Sequence, residues 1–127
     1  MKIAVLISRV LLGLLFLVFG LNGFFQFIHM PPPTGLAGQY IGALFASHYY
    51  VVIFLLQVVS GALLLANRYV PLALLLIGPV IVNIVLFHSF MAPEGLPLAL
   101  VAAVLWLIVF AGVRKAFAGV FVAQVEE

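Results

Sequence analysis

Six polar side chains stand out in an otherwise apolar chain, because their types can hydrogen-bond or ligate something inside a membrane. Asn22, Gln26 and His29 recur at i, i+4 and i+7, the spacing that puts side chains on one helix face. Gln57 lies in the middle of a second apolar run, and Asn83 and His88 lie in a third. Amide and imidazole donors around an apolar slot suit the carbonyl of a quinone-like molecule, with the protein supplying orientation and not chemistry. The same amides can instead bond from helix to helix, each such bond contributing about 0.6 kcal/mol. Both readings stand.

Metal and haem chemistry fit the spacing less well. Three histidines (His29, His48 and His88) fall toward the same side of the chain's fold, and imidazoles on facing helices can hold haem or a metal ion. Yet Asn83 and His88 are five residues apart, about 140° around a helix. No His-x-x-x-His or Glu-x-x-His pair occurs. Haem and metal are disfavoured, and histidines bonded to loop carbonyls are the simpler account. The chain has no cysteine, which excludes disulfides, thiolate zinc sites and cysteine-bound iron–sulfur clusters. No nucleophile–base–orienter set is visible, so no independent catalysis is expected.

The elements that must position these residues are membrane spans. Of the 127 residues, 68% are hydrophobic and 6% charged, and the mean hydropathy is +1.43. A soluble domain carries about 25% charged residues. The expectation is one all-α domain, a four-transmembrane-helix bundle with spans at about 10–28, 49–66, 70–90 and 96–113. The first span runs from Arg9 into Pro31-Pro32-Pro33 and has no charge between Val10 and Ile28, about the length that crosses ~30 Å of hydrocarbon. Arg9 interrupts any signal-peptide pattern, so this segment reads as a retained helix. Arg9 itself is expected to snorkel to headgroups. Gly13, Gly20 and Gly23, with Gly61, read as close-packing positions. Gly78-Pro79 is expected to kink the third span and make room beside Asn83.

The first outer loop, 29–48, has no charged residue. Its three prolines cannot continue a helix, but Thr34 can cap a short helix over Gly35–Ser47, lying at the interface or over the bundle mouth. The tail, 114–127, begins with Arg114-Lys115. Four spans in up-down order put all five basic residues (Lys2, Arg9, Arg68, Arg114 and Lys115) on one side and Glu94 on the other. By the positive-inside rule both termini are cytoplasmic. Basic residues that flank spans, with no aromatic-interleaved cluster, argue against nucleic-acid binding. Membrane lipids are the partners this composition implies.

Depth then groups the polar residues. Asn22 and Asn83 fall slightly past the midplane, Gln57 near it, and Gln26, His29 and His88 toward the outer face. The expectation is one cavity, opening outward and lined by all six. An inner half without polar groups disfavours a channel. A weak echo, Arg9…Asn22…Met30-Pro31 against Arg68…Asn83…Met91-Ala92-Pro93, suggests two helical hairpins repeated in parallel.

Three stretches resemble the DoxX family of small four-helix bacterial membrane proteins. They are Arg9-Val10-Leu11-Leu12-Gly13 with Phe19-Gly20-Leu21-Asn22-Gly23-Phe24, then Asn67-Arg68-Tyr69-Val70-Pro71-Leu72-Ala73-Leu74, and Pro79 to His88. Members often carry an acidic residue near the middle of the second helix; the matching position here looks like Gln57, so a role needing charge there does not carry over. Some relatives are named as subunits of a thiosulfate–quinone oxidoreductase, and others accompany redox-stress proteins. The resemblance implies a bacterial inner-membrane protein that serves as a subunit or anchor of a redox-related complex, with a quinone-like or other apolar ligand in the outer half. The alternative is a lipid-binding scaffold or small carrier with no redox role.

Overall fold

Long uncharged runs favour helix, which satisfies every backbone hydrogen bond within the segment. The computed structural model describes residues 2–126. They form α1 (Lys2–Phe25), α2 (Gly35–Ala46), α3 (Tyr49–Ala66), α4 (Val70–Phe90) and α5 (Leu96–Val113), with 3-10 segments at Pro93–Gly95 and Arg114–Phe121. Four of the helices are long and apolar enough to cross a membrane. At 1.5 Å per residue, α1 reaches about 36 Å and α3 about 27 Å. Ile3, Leu6, Val52, Val82 and Leu107 point outward, each more than half exposed.

The four long helices close a ring. α1 packs on α3 and α5, and α4 packs on the same two. Leu12 and Phe16 of α1, Leu64 of α3, Leu74 and Ile77 of α4 and Val109 of α5 fill the interior. The tightest crossing is α1 on α3. A Cβ at Gly13 would lie 2.9 Å from Leu65 Cγ and 3.1 Å from the Gly61 carbonyl oxygen, so the two backbones approach only because side chains are missing.

α1 differs from its expected span at both ends. It begins at Lys2, well before Val10, and stops at Phe25, before Ile28. The early start follows from Arg9, which is half-buried and donates from Nη1 to the carbonyls of Leu64 and Leu65 at the end of α3. With its charge placed against those carbonyls, Arg9 is compatible with a helix on both sides of it. It does not simply reach for headgroups. The early stop is a left-handed C-cap: Gln26 has φ 51°, and its N–H donates to the Asn22 carbonyl at 2.8 Å. Asn22 Oδ1 also accepts the Ile28 N–H at 2.7 Å. These bonds turn the chain away from the helix axis, as αL caps do.

The α3–α4 turn is built the same way. Asn67 is left-handed with φ 55°; its N–H donates to the Leu64 carbonyl, and the Arg68 N–H donates to Leu63. That pair is the Schellman arrangement. α4 runs as one helix through Pro79, whose missing N–H leaves the Leu75 carbonyl without its helical donor. One residue earlier, the Leu74 carbonyl accepts the Trp106 indole N–H at 3.0 Å. Trp106 stacks on Phe110 at 5.3 Å, and Phe110 meets Phe117 at 4.9 Å, so the segment after α5 folds back onto the bundle.

α2, in the connection between α1 and α3, packs against α3. Thr34 takes the N-cap position with extended backbone but makes no side-chain capping bond. Phe45 at the far end of α2 stacks on Tyr50 of α3 at 4.5 Å and 15°. Tyr40, near its middle, reaches α4, where its ring lies 5.3 Å from that of Phe87.

Candidate functional site

The six polar residues are not brought to one cavity. The common face expected of Asn22, Gln26 and His29 needed α1 to continue through His29, and the αL cap at Gln26 ends it first. Gln26 and His29 are exposed in the connection to α2. Asn22 is buried and engaged in holding that connection in place through the Ile28 N–H. Gln57 is buried at the α1 crossing, its Cβ 3.0 Å from the place a Cβ on Gly20 would occupy. One turn further on, Ser60 is fully buried, and its Oγ has no hydrogen-bond partner. His88 Nδ1 lies 3.0 Å from the Ala92 carbonyl oxygen. Its ring rests against Gly95 so closely that a side chain there would strike it. His88 therefore pins the α4–α5 turn. Among the described residues no three of His, Asp and Glu are grouped to hold a metal ion.

Of the six, Asn83 borders a groove. About 440 Å³ in volume, the groove is lined by Tyr40 and Leu44 of α2, Tyr49 and Ile53 of α3, and Pro79, Val80 and Asn83 of α4. It opens to the outside of the bundle, since Tyr49, Pro79 and Asn83 are all exposed. Its walls are mostly apolar, with one polar pair near the roof: Asn83 Nδ2 donates to Tyr40 Oη at 2.9 Å. A volume of this size falls within the ~300–1,000 Å³ of small-molecule sites.

Sequence reasoning expected room beside Asn83 and a short helix over Gly35–Ser47, at the interface or over the bundle mouth; a helix occupies Gly35–Ala46. It did not single out Tyr40. The available signal was a tyrosine in an uncharged loop helix, opposite an asparagine with no intrahelical use. Nor did sequence reasoning single out Tyr49, which lines the groove and is 69% exposed.

Comparison with family models, curated proteins and solved structures returns no match. The functional reading therefore rests on the groove.

Proposed function

We propose that this chain is a DoxX-like, four-span protein of the bacterial inner membrane that holds a quinone-like or lipid-like apolar molecule in the groove between α3 and α4. It acts as a non-catalytic subunit or anchor of a redox-related complex. The observation that carries the ligand reading is the groove itself: apolar walls, one amide–phenol pair, and a mouth on the flank where acyl chains would lie. A second reading, a lipid-binding scaffold without redox partners, draws on the same mouth. In either case the fold is two hairpins, α1–α3 and α4–α5, repeated in parallel. The repeat is one of helices and not of side chains, because Asn22 is buried and Asn83 exposed. α2 lies at the outer interface.

The ligand reading is tested by extracting the purified protein and examining the extract by visible spectrum and mass spectrometry. A quinone supports the redox-complex reading, and phospholipid alone supports the scaffold. Asn83→Leu should lower the retained amount while leaving thermal stability in detergent nearly unchanged, since Asn83 is exposed. Asn22→Leu should do the opposite. It strands the Ile28 N–H at a cost of about 1–3 kcal/mol and leaves retention intact. If nothing co-purifies and Asn83→Leu costs only stability, the groove is a packing feature and the reading fails.

The membrane reading includes both termini in the cytoplasm, because the end of the bundle that carries Lys2, Arg9, Arg68, Arg114 and Lys115 is opposite the end with Glu94. The chain's lack of cysteine makes the test clean. In intact cells, a cysteine introduced at Thr34 should react with an impermeant thiol reagent, and one at Gln124 should not. The reverse pattern would invert the topology.

A further inference from the structure

Tyr40 is held from two sides. Asn83 Nδ2 donates to its oxygen at 2.9 Å, and its ring lies 5.3 Å from that of Phe87. A phenol carries one proton and two acceptor positions. Asn83 uses one acceptor position, and the Tyr40 proton takes no part in that bond. Accepting a hydrogen bond also polarises the O–H and makes it a better donor. Of the other lining side chains, Leu44, Ile53, Pro79 and Val80 carry no polar group, and Tyr49 carries a second phenol.

We propose that the Tyr40 hydroxyl anchors the head of the molecule in the groove. The groove then selects long apolar molecules that bear a carbonyl oxygen, ketone or ester, over hydrocarbons of equal length. This inference rests on the groove being a site for an apolar ligand. Asn83 is the positioning residue, fixing the phenol so that its proton points away from the amide. The apolar walls supply affinity without preference, and the Tyr40 donor, fixed by Asn83, supplies the discrimination. A ketone carbonyl would come from a quinone, and an ester carbonyl from a glycerolipid.

The experiment uses the full chain in detergent micelles and two matched probe pairs. One pair is decyl-ubiquinone and decylbenzene; the other is dioleoyl phosphatidylcholine and its dialkyl ether analogue. Bound probe is quantified by native mass spectrometry for the wild type, Tyr40→Phe and Leu44→Trp, with helicity checked for each. Tyr40→Phe keeps the ring against Phe87 and removes only the donor. In the wild type the carbonyl-bearing member of one pair should bind about fivefold to tenfold more tightly, as one hydrogen bond supplies. Tyr40→Phe should bind both members of that pair equally. The pair that shows the loss identifies the source as quinone or glycerolipid. A preference that survives Tyr40→Phe, or none in either pair while Leu44→Trp blocks binding, overturns the anchor and leaves the groove standing. Binding that Leu44→Trp does not reduce, or no binding of any probe, overturns the groove and the anchor with it.

Discussion

Gly61→Val should destabilise the protein by about 3 kcal/mol or more, the upper end of what overpacking costs. A Cβ at Gly61 would lie 2.5 Å from the Leu17 nitrogen, 2.8 Å from the Gly13 carbonyl oxygen and 2.9 Å from the Leu17 Cα. All three are backbone atoms of α1. Backbone cannot swing aside as a side chain can, so the helices must separate, and the contacts made by the neighbouring side chains go with them. Gly23 is the informative contrast. There the obstacle is the Phe54 ring, which can turn, so Gly23→Ala should cost less. Gly42 provides the control: nothing lies within 4 Å of its would-be Cβ. Gly42→Ala should therefore raise stability slightly, by about 0.5–1 kcal/mol of helix preference. Thermal unfolding of the three variants in one detergent ranks them. A Gly61→Val protein as stable as the wild type would mean that α1 and α3 do not cross at this point.

The close α1–α3 approach was legible because glycines at Gly13, Gly20, Gly23 and Gly61 have few other uses inside apolar helices. The four long apolar helices were legible for a related reason. Uncharged runs between Tyr49 and Ala66, Val70 and Phe90, and Leu96 and Val113 are bounded by polar, charged or proline-containing turns, and helices occupy those stretches. The first helix was read less well, because its limits are set by side chains acting on distant or non-helical backbone. Arg9 looks like a boundary until the α3 carbonyls are seen beside it. Gln26 looks like the next step of a polar stripe until Asn22 takes the Ile28 N–H. The candidate site was the least legible part. Periodicity can say which residues share a helix face, but only while the helix lasts. It is silent on Tyr40 reaching across from α2 to Asn83, a contact between residues 43 positions apart.

Arg9→Leu should cost about 1.5–3 kcal/mol, the value of hydrogen bonds made by a charged group. The last carbonyls of a helix have no intrahelical donor and carry the negative end of its dipole. In α3 the Leu63 and Leu64 carbonyls are served by the N–H groups of Arg68 and Asn67. Arg9 adds a second donor to Leu64 and reaches Leu65 at 3.4 Å. It also ties the start of α1 to the end of α3, below the glycine crossing. Arg9→Lys keeps the charge, but an ammonium is more strongly hydrated than a guanidinium and costs more to hold at a half-buried site, so it should recover about half of the lost stability. A merely snorkelling residue behaves differently: lysine would replace it freely, and leucine at a helix flank would cost little. Thermal unfolding in a non-ionic detergent separates the two accounts, because such micelles carry no anionic headgroups to reward a snorkelling arginine. Wild-type stability in both variants would return Arg9 to the headgroups. Orientation is a separate readout. Arg9→Leu still leaves four basic residues at one end and none at the other, so the labelling pattern at Thr34 and Gln124 should stay unchanged while the melting temperature falls.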